Sequence, residues 1–297
     1  MNKRDLVLHV GAHRTGSTSL QWRLDANAEA LRAQSVAVLT PPRKDHRDTP
    51  TLRDSVRALR DVKGRFPGFW YRRTLKRARS TLEREIGKAE SGTTTRRLIL
   101  SDEMMPGVAF SKEGEGLYPE AERHLNLLTR ILPDTPSEVH LVIRSYESFI
   151  PSVFAMRAVY VGGMPPFDAL RNTLTRPERG WVELVDLLAE VFPSARLVIS
   201  RLETVSQEKV FLRLTDAKAE TLDLETPSHL NAAPTLEAIQ AASAMTPGSY
   251  SPDALVEEHA GGRRFDPLTE EERGRLRQRY ETDCRRLSAR PSIRWYG

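Results

Sequence analysis

Cysteine is nearly absent from this 297-residue sequence, which has Cys284 and no other. A disulfide framework within the chain and any cysteine-rich zinc site are thereby excluded, and a reducing, cytoplasmic setting is expected. Long hydrophobic runs are missing too. The apolar run at 6–10 is too short for a signal-peptide core or a membrane span, so neither is expected. The seven histidines are scattered, and only His9 and His13 stand close together, with no Cys, Asp or Glu at ligand spacing. No metal site is expected from that pattern. Internal repeats and low-complexity tracts are lacking. Neither sign of charge dominates, since 45 Lys and Arg face 40 Asp and Glu for a net +5. That balance favours anionic ligands and is too mild to point to nucleic acid.

What the chain does have is enough apolar residue to bury a sizeable core, at 39% hydrophobic and 29% charged. A single domain over 1–297 fits this length better than several small ones. Short apolar runs at 6–10, 36–39, 98–100, 139–143 and 197–199 are candidate strands separated by helical stretches. The alternation predicts a three-layer α/β/α fold, P-loop-like, whose mostly parallel central sheet has helices on both faces and ligands at the carboxyl ends of its strands. The first forty residues read as one β-α-β unit. The part 230–297 reads as mostly helical, with the acidic turn Glu270-Glu271-Glu272 opening a helix that runs toward Leu287.

Positive charge is concentrated in one excursion. Residues 42–90 hold fifteen Lys and Arg against seven Asp and Glu. A helical, basic segment of this kind is expected to border the cleft for a hydroxylated acceptor, with Arg72, Arg73 and Lys76 among its charges, the alternative being a solvated helical surface.

The first strand runs into His9-Val10-Gly11-Ala12-His13-Arg14-Thr15-Gly16-Ser17-Thr18-Ser19 and then into a helix. Successive backbone N–H groups and the positive end of the helix dipole can wrap a phosphate there, and the hydroxyls of Thr15, Ser17, Thr18 and Ser19 are further donors. Gly11 and Gly16 have Walker A spacing, but Ser17 stands where a nucleotide triphosphatase needs lysine. The cation comes earlier, at Arg14.

That shift resembles the loop of the PAPS-dependent sulfotransferases (PAPS being 3′-phosphoadenosine-5′-phosphosulfate), whose form is close to Lys-(Ser/Thr)-Gly-Thr-Thr. Residues 14–18 resemble it, with Arg14 in place of the lysine and Ser17 in place of the first threonine of the closing pair. The resemblance, closest to bacterial carbohydrate-type and heparan-type members, implies that PAPS is the co-substrate and PAP, its desulfated form, the product. It also implies that Arg14 holds the bridging oxygen of the leaving 5′-phosphate. Arginine keeps the charge in a wider, planar, multi-donor head. The family grips the 3′-phosphate with an Arg ending a strand and a Ser eight residues later, which here are Arg144 and Ser152, the latter beside Pro151 where a helix could begin. A third similarity is Gly261-Gly262-Arg263, where heparan-type enzymes have Lys-Gly-Arg around the 3′-phosphate. This correspondence adds Gly262 and Arg263 to the expected cofactor site.

Transfer of a sulfuryl group needs a base for the acceptor hydroxyl, cations on the leaving phosphate and in-line placement, with no requirement for metal. Alignment by strand end puts Glu103 of Ser101-Asp102-Glu103 where cytosolic members have their catalytic histidine. His13, His46 and Asp102 are rival bases, and a carboxylate here can alternatively cap the following turn. The same strand ending Asp-Glu would serve a magnesium-dependent kinase as Walker B, although Ser17 argues against it. A catalytically silent PAPS- or polyanion-binding protein is a further alternative. No motif names the acceptor, for which a carbohydrate or small metabolite is favoured, and none speaks to oligomeric state.

Overall fold

A computed structural model describes residues 4–41, 52–62, 67–112, 116–225 and 233–297. Its six strands are β1 (Asp5–His9), β2 (Val36–Leu39), β3 (Arg97–Ser101), β4 (Glu138–Ile143), β5 (Arg196–Arg201) and β6 (Ile293–Tyr296). They form one sheet in the order β2-β3-β1-β4-β5-β6, and every neighbouring pair is parallel. The helices are α1 (Ser17–Ala26), α2 (Ala28–Ala33), α3 (Leu52–Arg60), α4 (Pro67–Ala89), α5 (Ala121–Ile131), α6 (Tyr146–Tyr160), α7 (Phe167–Thr175), α8 (Trp181–Val191), α9 (Gln207–Thr215), α10 (Leu236–Ser243), α11 (Pro252–Glu258) and α12 (Glu270–Ser288).

Five of the strands coincide with apolar runs because strands covered on both faces need apolar residues at successive positions. The two-residue alternation of side chains then divides them between two cores. Val7, Ile99 and Val142 point to the face covered by α1 and α9, where Leu20, Leu24, Phe211 and Leu214 are buried. Leu6, Leu8, Leu98, Leu100, Leu141 and Ile143 point the other way, into the larger core shared with α4, α5, α6, α8 and α12. This is the three-layer α/β/α arrangement. The first and second strands are parallel, as a β-α-β unit requires, but β3 lies hydrogen-bonded between them.

After residue 230 come the helices α10, α11 and α12, and then β6, which adds to the edge of the sheet beside β5 and was not expected. With four residues and Arg294 among them, β6 is too short and too polar to stand out as an apolar run. One expectation needs correction, since Pro151 does not begin a helix. Helix α6 starts at Tyr146, so Pro151 is interior. Lacking an N–H, it leaves the fourth carbonyl before it without the usual helical donor. The acidic turn of α12 behaves as expected: Thr269 Oγ1 accepts from the Glu272 amide, and the Glu272 carboxylate accepts from the Thr269 amide in return.

Candidate functional site

Since β1 lies between β3 and β4, the segments leaving all three strands emerge side by side at the carboxyl edge of the sheet. The ladder extends slightly past the strands, with Val10 N bonded to His140 O and Asp102 N to His9 O. A cavity of about 380 Å³ opens there, lined by His13, Arg14, Gly16, Ser17, Thr18, Ser19, Glu103, Arg144, Met156 and Tyr160.

The loop after β1 forms its floor. Its backbone is left-handed at Gly11, Arg14 and Gly16, with φ of 46°, 61° and 86°. Glycine adopts such angles freely, whereas at Arg14 they are costly and must be held by neighbours. Three contacts hold them. Arg144 Nη1 donates to Arg14 O at 2.9 Å, Gln207 Nε2 donates to Thr15 O at 3.0 Å, and Thr15 Oγ1 donates to Ala12 O at 2.6 Å. Thr15, 1% exposed, therefore secures the loop from behind instead of lining the cavity. The Ser17 hydroxyl also turns toward Ala12 O, at 3.4 Å. The first intrahelical bond of α1 runs from Leu20 N to Gly16 O, so the amides of residues 17–19 lie ahead of the helical ladder at its positive end.

Two guanidinium groups form one wall. Arg14 Nε donates to Ser152 Oγ at 2.9 Å, and Arg144 Nε donates to Ser148 Oγ at 2.8 Å. Ser148 and Ser152, four apart, are stacked on one face of α6, and Arg144, two residues before the helix, reaches forward to the first of them. Ser152 reaches the site from the helix interior. Burial, and then the neighbouring Arg144 cation, lowers the Arg14 pKa from its ordinary value. Arg144 is lowered by burial and by Arg264, with Glu203 opposing the shift. In both, burial is the first cause, since it disfavours the charged form of a group taken out of water.

Glu103 lines the same cavity. Its Oε2 accepts from Gln21 Nε2 of α1 at 3.0 Å. A side chain at Gly11 would collide with Ser17 Oγ at 2.7 Å and crowd Glu103 Cβ at 3.2 Å, so that glycine lets the two segments meet. His13 is held differently. Its amide donates to the Tyr118 hydroxyl at 3.0 Å, its Nδ1 lies 3.2 Å from the same oxygen, and its Nε2 lies 3.0 Å from Met104 Sδ. With the phenol donating to Nδ1, the ring proton sits on Nε2 and both nitrogens are engaged. Burial raises the Tyr118 pKa, keeping the phenol protonated for this role.

Asp102 is turned elsewhere. Its Oδ1 accepts from Met104 N at 2.9 Å, capping the turn, and it lines a separate small cavity with Arg57, Arg60 and His124. The basic excursion thus reaches the strand ends through α3, while Arg72, Arg73 and Lys76 lie exposed on α4. His46 lies outside the described residues. Gly262 and Arg263 are not brought to the 380 Å³ cavity. Arg263 pairs with Glu237 through both its amide, at 2.7 Å, and its Nε, at 2.8 Å. Its neighbour Arg264 is the one whose charge is felt at Arg144. Sequence reasoning also missed Gln21, Tyr118, Ser148, Tyr160 and Gln207. Only Ser148 had a local signal, four residues after Arg144.

Among the described residues, no cluster of His, Cys, Asp or Glu is arranged to hold a metal ion, and no helix is long and apolar enough to cross a membrane. In comparisons with known proteins, the chain matches no family model and no curated sequence.

Proposed function

We propose that the chain is a PAPS-dependent sulfotransferase acting on a hydroxyl, with a carbohydrate or small metabolite as acceptor. The observation that carries this reading is the convergence of Arg14, Arg144, Ser152 and Glu103 on the rim of the phosphate-type loop. Two cations and a helix amino terminus suit the 5′- and 3′-phosphates of the cofactor, and a carboxylate lining the same cavity suits a base. PAPS supplies a sulfuryl group on a good leaving phosphate. The acceptor oxygen bonds to sulfur as the bond from sulfur to the bridging phosphate oxygen breaks. Arg14 donates to that oxygen as its charge grows, Arg144 holds the 3′-phosphate, and Glu103 takes the acceptor proton. His13, bonded at both nitrogens, is less suited to that last task.

The kinase alternative needs Asp102 and Glu103 acting together on a metal, but Asp102 caps a turn and lines another cavity. With PAPS, a panel of polyhydroxylated acceptors and excess EDTA, the protein is expected to release PAP and form sulfated product. Turnover that requires magnesium and uses ATP as donor would overturn the assignment. Binding of PAP without turnover on any acceptor would point to the silent binding protein.

A further inference from the structure

Helix α4 carries a surface that the proposed reaction does not use. Its inner face is Tyr71, Leu75, Ala78, Leu82 and Ile86, spaced by three and four residues and packed into the large core. The opposite face is exposed along its length and carries Arg73, Lys76, Arg77 and Arg84. The helix as a whole has seven Lys and Arg against two Glu. At its first turn stand Phe69 and Trp70, 62% and 46% exposed, with ring centroids 5.6 Å apart. Two large aromatics left in water beside a row of cations are unusual for a surface that meets only solvent.

The helix also has a defined orientation. Just past its carboxyl end, Glu90 pairs with Arg4, which precedes β1, so that end lies at the amino edge of the sheet. Its first turn, with Phe69 and Trp70, accordingly points to the carboxyl edge, where the 380 Å³ cavity opens. We propose that this face docks the protein peripherally on an anionic lipid surface. Phe69 and Trp70 enter the headgroup boundary, and Arg73, Lys76 and Arg77 lie against the negative headgroups. Charge complementarity selects an anionic partner. The paired aromatics select a bilayer over a dissolved polyanion, because indole and phenyl rings gain from the interface between headgroup and acyl chain. The proposal holds whether or not the 380 Å³ cavity takes PAPS.

Co-sedimentation with vesicles tests it without any nucleotide. The wild-type chain is expected to bind vesicles of phosphatidylcholine mixed with phosphatidylglycerol, to ignore phosphatidylcholine alone, and to be released by salt. Reversing three charges, in Arg73→Glu, Lys76→Glu and Arg77→Glu together, is expected to weaken binding by about tenfold or more. Brominated lipid is expected to quench tryptophan emission in the wild type and far less in Trp70→Phe. The salt dependence and the quenching are read on the wild type, so a poorly folding variant does not decide the outcome. Three results would each overturn the proposal: no binding to the anionic vesicles, binding undiminished by charge reversal, or binding without quenching that soluble heparin abolishes. The last would reassign the face to a dissolved polyanion.

Discussion

Arg14, Arg144 and Glu103 line one cavity, and each has a separate task in the proposed transfer. In the proposed reaction Arg144 grips the 3′-phosphate, the group that separates PAP from AMP. Charge-assisted bonds contribute roughly 1.5–3 kcal/mol each. Arg144→Ala should therefore weaken PAP by about tenfold or more while leaving AMP nearly unchanged, as read by calorimetric titration. Equal losses for both nucleotides would mean that Arg144 acts only through its bond to Arg14 O and the shape of the loop. Glu103→Gln keeps the shape and the neighbour Gln21 but removes the proton acceptor. Its kcat should fall by about 10²–10⁴ with PAP affinity within about threefold, and unimpaired turnover would transfer the role to another group.

Among the elements, the loop between β1 and α1 is the one whose backbone is most constrained. An alanine side chain at Gly16 would sit 2.6 Å from Gln207 Nε2, and φ of 86° disfavours it before any contact is counted. Gly16→Ala should cost about 1–2 kcal/mol in thermal or urea unfolding and reduce PAP binding as the loop shifts. A variant with unchanged stability and affinity would show that the loop is not under this constraint. This loop was legible in the sequence because its glycine spacing and hydroxyl residues are a local pattern. The first five strands were legible because burial on both faces demands consecutive apolar residues. Arg144 and Ser152 meet the loop from different places, Arg144 from the end of β4 through Arg14 O and Ser152 from inside α6 through Arg14 Nε, and only the first position was marked by an apolar run. The short edge strand β6 lacked an apolar run. Gln207 and Tyr118 come from about 190 and 105 residues away, and such contacts leave no mark on their own neighbourhoods.

For the whole molecule, the polar cluster buried between the sheet and the face of α1 and α9 sets the response to acid. Arg97 Nη2 bonds Glu138 Oε2 at 2.6 Å, His140 Nε2 lies 3.0 Å from the same oxygen, and His9 Nδ1 lies 2.8 Å from Ser101 Oγ. Burial, helped by His140, lowers the His9 pKa from 6.5 to about 3. The unfolded chain takes up a proton below pH 6.5 that the folded His9 refuses, so stability falls as pH drops from 6.5 toward 3. Glu138, lowered from 4.5 to about 2 by its bond to His140 and then by Arg97, adds a loss in the same direction between those values. Each proton contributes a slope of up to about 1.4 kcal/mol per pH unit. Urea midpoints should therefore be flat above neutrality and decline steadily from about pH 6.5 downward, whereas a midpoint constant to pH 4 would contradict the burial of a neutral His9. Whether the 380 Å³ cavity takes PAP is read by a thermal-shift comparison of PAP, AMP and ATP with magnesium. PAP is expected to raise the melting temperature well beyond either of the others; equal shifts for all three, or stabilisation by ATP with magnesium alone, would mean that the cavity is not built for a 3′-phosphate.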